Sequence, residues 1–352
     1  MAEFDDIIDA TFEHAVNIES LSITQARKLI VDLTKLSSDL NAQLRVIGPT
    51  QPTRFRTKKR RLDSYLKKAE KMIDVVYGKL SDKQAVYLKD LASLEQSETV
   101  GIVNESLGVD ILDISIGKDE LNLISRETLI DGLPPKEWFK NQLPAGLKSQ
   151  LVRQLQTGIA QNETIQELVS RINKRVDISR NDVRTLVRTT TNGVSNKVRD
   201  TVYSNNSDVI DGEEHLSTLD LRTSDICIAR DGLQWTTPDH KPIGGHGKRW
   251  KPFPLHFNER STWIPVFKDI SKMSGINQSK LDGFNQASID GTLSDRIDYP
   301  QWFKKQSESR QLEIIGPGKL RLYKDGKLSL RDLVKTNGKS LTIQQLIDLK
   351  SA

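Results

Sequence analysis

From Ser22 to Ile47 the chain sets Leu29, Leu33, Leu36, Leu40, Leu44 and Ile47 at intervals of three and four, with polar residues between them. That period lines the apolar side chains along one stripe and predicts an amphipathic helix. Gly48-Pro49 and Pro52 stop it, because proline cannot continue the helical hydrogen-bond ladder. The stripe resumes from Leu62 with Leu66, Ala69, Ile73, Val76 and Leu80, an alternation that suits an antiparallel hairpin or a short coiled coil. Such stripes form the core of a bundle or a surface for another protein's helices.

Further along, Pro134-Pro135 and Pro144 can each open a helix, which predicts short helices over 136–142 and 146–159. Asn162-Glu163 starts another, with Ile165, Leu168, Val169 and Ile172 on one face. A separate helix from about Asp182 to Tyr203 carries Val183, Leu186, Val187, Val194 and Val198 and ends at Asn205-Asn206. The pattern then changes. Asp211-Gly212 and Asp231-Gly232 are turn pairs, and the stretches 215–220 and 226–229 are β-capable, so 209–267 reads as a small β-rich unit. Gly244-Gly245 and Gly247 around His246 read as a loop, since no strand leads in and no helix follows as a phosphate cradle requires. Trp302, Phe303, Ile314 and Ile315 precede Gly316-Pro317, and Leu341 to Leu349 forms a last amphipathic segment, a helical tail expected to pack on the β unit. The expected fold is α+β and mainly α. Residues 1–130 would form a helical docking domain, 131–270 a central module and 271–352 the tail.

A length of 352 residues suits about two domains. With 36% hydrophobic and 28% charged residues, the chain is polar, and elongated helices with modest cores are expected. No apolar run approaches the ~18 residues of a membrane span, and Met1 to Asp9 is acidic where a signal peptide is basic, so the expectation is a soluble chain without a leader and without a membrane partner. Cys227 is the only cysteine, which excludes an intrachain disulfide and a cysteine-based zinc cage and fits a reducing cytosol. The net charge of +5 is spread over 52 basic and 47 acidic residues, so its placement matters more than its sum. One run stands out: Arg54, Arg56, Lys58, Lys59, Arg60 and Arg61 contain no acid and lie in an expected linker at 48–61. A cluster of this kind displaces counterions from a phosphate backbone and predicts weak, salt-sensitive, sequence-independent binding to double-stranded DNA.

His215, His240, His246 and His256 fall in the β-rich unit with Asp220, Asp225, Asp231 and Asp239 nearby, which makes a metal-dependent nuclease the alternative reading. Against it, no pair has the helical HExxH spacing, and turn aspartates usually bond their own backbone. Ser224 and Cys227 lack the strand-to-helix elbow of a hydrolase nucleophile, and Cys227 beside Ile228 reads as a small buried hydrophobe. No cofactor and no transition metal is expected.

The stretch Arg188-Thr189 to Ser195-Asn196, then Tyr203, Ser217 to Cys227, Asp231-Gly232 and Pro254-Leu255-His256-Phe257-Asn258, resembles the phage Mu protein F-like head morphogenesis family in order and spacing. Tyr299 to Phe303, Leu312 to Pro317, Leu322 to Leu330 and Leu341-Thr342 are similar to the tail that often follows this domain, so the resemblance covers about residues 145 to 349. It implies a minor head protein of a tailed bacteriophage, made in the host cytoplasm and held inside the capsid near the portal vertex. There it would assist head assembly, DNA packaging or ejection, with portal protein or major capsid protein as partner and no catalytic residue. One departure stands in the motif. The family usually reads His-Pro-Asn-Cys-Arg where this chain has His256-Phe257-Asn258-Glu259-Arg260, so whatever a cysteine pair does in relatives, Cys227 cannot do it here within one chain. The motif residues Arg188, Asp220, Arg222, Thr223, Cys227, His256, Asn258 and Arg260 are then expected to be structural, with Asp220 accepting from backbone and arginine groups to fix the loops.

Overall fold

The computed structural model describes residues 2–46, 55–161, 163–268, 298–335 and 340–351. The fold is α+β and mainly α. Two long helices open it, α1 (Ala2–Val46) and α2 (Phe55–Leu107). Then come α3 (Lys118–Glu127), α4 (Pro135–Glu137), a π turn at Trp138–Gln142, α5 (Leu143–Ala160) and α6 (Ile165–Asn205). A three-stranded antiparallel sheet follows, with β1 (Ile210–Leu216) between β2 (Gln234–Thr236) and β3 (Thr262–Phe267). The short α7 (Asp225–Arg230) interrupts it, and α8 (Tyr299–Lys305), α9 (Glu308–Lys324) and α10 (Ile343–Ser351) close the chain. Among the described residues no helix is long and apolar enough to cross a membrane.

The leucine stripe of α1 is buried as its spacing predicts, but the helix starts about twenty residues earlier than the stripe does. Ile7, Thr11, His14, Ile18, Ser22 and Gln25 continue the same register and are also buried. Polar partners compensate for the missing apolar side chains: His14 bonds Glu95 at 3.0 Å, and Gln25 donates to Gln84 at 3.3 Å. Gln84 in turn donates to Thr190 of α6 at 3.0 Å. Buried polar groups cost little when satisfied in this way.

The two stretches read as separate helices over 165–172 and 182–203 are one, α6, opened by a capping box in which Thr164 and Glu167 exchange hydrogen bonds. Its first half packs Leu168, Ile172, Val176, Val183 and Val187 against Leu29 to Leu44 of α1, Tyr65 to Leu80 of α2, and Leu147, Leu151 and Leu155 of α5. Its second half, with Val194, Val198, Val202 and Tyr203, shares a core with Leu88, Val100 and Val103 of α2, with Ile7 and Ile18 of α1, and with Trp235 and Trp263 of the sheet. The expected boundary at 130/131 therefore does not mark a break in packing. Docking-domain residues and module residues occupy the same two cores, and the leucine stripe is covered within the chain.

Residues 226–229 are helical, not extended as read from their β propensity. The Ser224 side chain accepts from the Cys227 amide and caps α7, with Asp225 in its first turn and Arg230 in its last. In β1, Gly212 is required by space, since a Cβ there would lie 2.2 Å from the Trp235 carbonyl oxygen. The tail packs on α7: Ile226, Ile228 and Ala229 meet Tyr299, Phe303, Leu320, Leu330 and Leu333. Gly316, at φ 75°, breaks α9 ahead of Pro317.

Candidate functional site

Past the end of β1 the chain turns through 217–224 into α7, and a second turn at 255–261 leads into β3. The motif residues meet where these two turns touch. Asp220 accepts from the Arg222 amide at 2.9 Å, from the Thr223 hydroxyl at 3.1 Å, and from both terminal nitrogens of Arg260 at 2.6 and 2.8 Å. The Arg260 guanidinium, helped by these donors, holds the Asp220 carboxyl at about 2. Tyr299 of the tail donates its hydroxyl to the Asp220 carbonyl at 2.7 Å. Arg222 contributes its amide, while its side chain is exposed.

Beside this pair lie Ser224, Cys227, His256 and Glu259. The Cys227 sulfur is 3.3 Å from His256 Nε2 and 3.3 and 3.4 Å from the two carboxylate oxygens of Glu259; His256 Nε2 is 3.3 Å from Glu259 Oε2. Cys227, His256 and Glu259 thus form a three-donor set, where no transition-metal site is expected from sequence. Separations of about 3.3–3.6 Å are those of donors on one face of a tetrahedral zinc ion, so the set could hold such an ion, with Ser224 Oγ or a water completing it. The same atoms also satisfy one another without an ion. The thiol donates to Glu259, Ser224 Oγ lies 2.8 Å from His256 Nε2, and Glu259 further accepts from the amides of Arg260 and Ser261 at 3.0 Å each.

As a catalytic set the arrangement is poor. Burial, reinforced by the Glu259 charge, pushes the Cys227 thiol up and away from the nucleophilic thiolate. His256 Nδ1 faces the Phe257 carbonyl at 2.8 Å, while Ser224 and Glu259 both crowd Nε2, so no carboxylate orients the ring from behind as a serine triad needs. The cleft above, lined by Thr218, Ser224, Asn258 and Ser261 among others, holds about 20 Å³, room for roughly one water.

Asn258 turns the backbone at φ 62°, a left-handed value asparagine tolerates, and its amide donates to Thr189 of α6 at 2.9 Å. Arg188 lies outside this node. It pairs with Glu19 of α1 at 3.3 Å and shares with Arg260 the lining of a neighbouring cleft of about 70 Å³ between α1, α6 and the sheet. Beneath that cleft Arg199 donates to Glu95, and the fully buried Glu95 carboxyl falls to about 2: burial raises it, and the Arg199 charge with the His14 contact outweighs burial.

The basic run is separate again. Arg54 lies outside the described residues, while Arg56, Lys58, Lys59, Arg60 and Arg61 belong to the first two turns of α2 rather than to a linker, with Arg60 and Arg61 exposed.

Two groups escaped the sequence reading. The sequence marks Glu259 only as the residue that replaces a cysteine, although a carboxylate at a thiol position still offers a donor. His240, named from sequence beside the turn aspartates, instead converges with Asp200 and Glu213, one donor atom from each lying within 4.8 Å of the others, and no spacing along the chain announces these two partners. Neither the family models, the curated proteins nor the solved structures compared with this chain match it, so the family resemblance rests on the motif residues themselves.

Proposed function

We propose that the chain is a structural protein of a tailed-phage head, a minor component placed near the portal vertex that assists head assembly, DNA packaging or ejection. The observation that carries this reading is the convergence of the resembling motifs. Asp220 to Cys227 and His256 to Arg260 are about thirty residues apart, yet they close into one polar node that is joined to the tail. Further bonds extend the joint: Lys319 pairs with Asp225, Tyr299 N donates to Asp231 at 2.7 Å, and Arg331 donates to the Asp231 carbonyl. The motif residues thus act as fasteners between turns, helix and tail, a role that suits an assembly module. On this reading the partner is portal or major capsid protein, and the basic start of α2 supplies weak contact with packaged DNA.

A mass-spectrometric inventory of purified full and DNA-free particles tests the proposal. The chain should be found in them at a small fraction of the major capsid protein. Its absence from both kinds of particle would refute the reading. Plasmid incubated with the chain and Mg²⁺ or Mn²⁺ should stay intact, and nicking that disappears in His256→Ala would favour the nuclease instead.

A further inference from the structure

Asp200 on α6, Glu213 on β1 and His240 in the loop after β2 form a second group of donors, and they differ from the motif node in one respect. The node's donors satisfy each other; these do not. Asp200 and Glu213 are 2% and 0% exposed, yet Asp200 Oδ1, Glu213 Oε2 and His240 Nδ1 are all buried without a hydrogen-bond partner. The remaining oxygens are used: Lys197 donates to Asp200 Oδ2 at 2.7 Å, and the Trp250 indole donates to Glu213 Oε1. His240 Nδ1 is 3.8 Å from Glu213 Oε1, and Nε2 is 3.5 Å from Asp200 Oδ1.

Stranding buried carboxylate oxygens is costly, and native structures fill such positions with a partner, a water or an ion. Charge points to the ion. Two carboxylates face each other, and among the described residues a single lysine, Lys197, contacts them, itself 43% exposed. The imidazole is also held in place before any ion arrives, stacked on Trp250 at 3.8 Å with the planes 9° apart, on a backbone at φ 53°.

We infer that Asp200, Glu213 and His240 form a binding site for one divalent first-row transition-metal ion, which ties the 237–250 loop to α6 and β1. Two carboxylates and one imidazole suit manganese or zinc; one donor atom from each residue lies within 4.8 Å of the others, and closing to the roughly 3.0–4.2 Å between donors on a six-coordinate ion leaves the other positions to water. The site belongs to this chain's own fold and does not depend on the head-protein reading.

The test titrates the full chain, cleared of metal by a chelator, with Mn²⁺ and separately with Zn²⁺, following tryptophan fluorescence, which Trp250 reports from within the site, and metal content after dialysis. One ion per chain should bind, with affinity weakened at least about tenfold in Glu213→Gln and in His240→Asn, the second chosen because asparagine accepts the left-handed backbone. Both variants should keep the wild-type circular dichroism without metal, and the Cys227→Ser/His256→Ala variant should bind one Mn²⁺ as the wild type does. Failure of both ions to bind up to about 1 mM would overturn the inference. So would binding that Glu213→Gln and His240→Asn leave unchanged, or binding of both ions that only Cys227→Ser/His256→Ala removes.

Discussion

Asp220 joins three donors and carries a carboxyl held at about 2, against an ordinary value of 3.8. Because the folded value is the lower one, the stabilisation is complete above about pH 4 and is lost as the pH falls toward 2. The pair is partly open to solvent, so Asp220→Asn should cost only about 1 kcal/mol at pH 7, a difference that narrows below pH 3 when urea unfolding is compared across pH. Cys227, buried with its thiol pushed up, should resist a thiol-specific chromogenic reagent in the native protein and react at once in denaturant. Apart from Arg188, which pairs with Glu19 outside the node, the motif residues singled out from sequence lie about the two turns. Their joint geometry was not legible from sequence, since it depends on two turns thirty residues apart meeting beside Tyr299. His240 was legible as a candidate metal donor, but Asp200 and Glu213 were not: on a helix and a strand, they share no local period with it.

At the scale of elements, periodicity found the apolar half of α1 and missed the half that buries Thr11, His14, Ser22 and Gln25, because a polar residue on a buried stripe reads as a break. The continuity of α6 was hidden at 173–181, where only Val176 and Ser179 are buried and charged or amide residues largely surround them. These buried polar joints also decide how the helices respond to mutation. Glu95→Leu strands the Arg199 guanidinium, 1% exposed, and should destabilise the chain by about 3–5 kcal/mol in chemical denaturation, whereas Glu95→Leu/Arg199→Met should recover much of that loss. At the start of α2, basic residues in the opening turns oppose the helix dipole, which makes an anion welcome there. If the cluster neutralises about four phosphates, duplex binding should weaken with a log-log salt slope near −3.6, and serine at all six basic positions should flatten it.

For the whole molecule, the decisive feature is that α6 belongs to both large cores. The sequence reading expected a separable N-terminal docking piece, but its stripes are consumed by α6 and α5, and α6 in turn relies on them. Removing residues 1–100 therefore uncovers Leu186, Val187, Val194 and Val198 together. The remainder should be insoluble or lack the near-ultraviolet dichroism of packed aromatic rings, and a soluble, well-packed fragment would show that the module needs none of this cover. The same arrangement sets an order of events during synthesis. α2 ends at Leu107 and α6 at Asn205, so at roughly 5–20 residues per second the ribosome delivers the last turn of α6 about 5–20 s after α2 is complete. Until α5 and then the first half of α6 follow within that interval, Leu29 to Leu44 have only α2 to lean on, and the nascent chain carries an adhesive surface before its own cover has emerged.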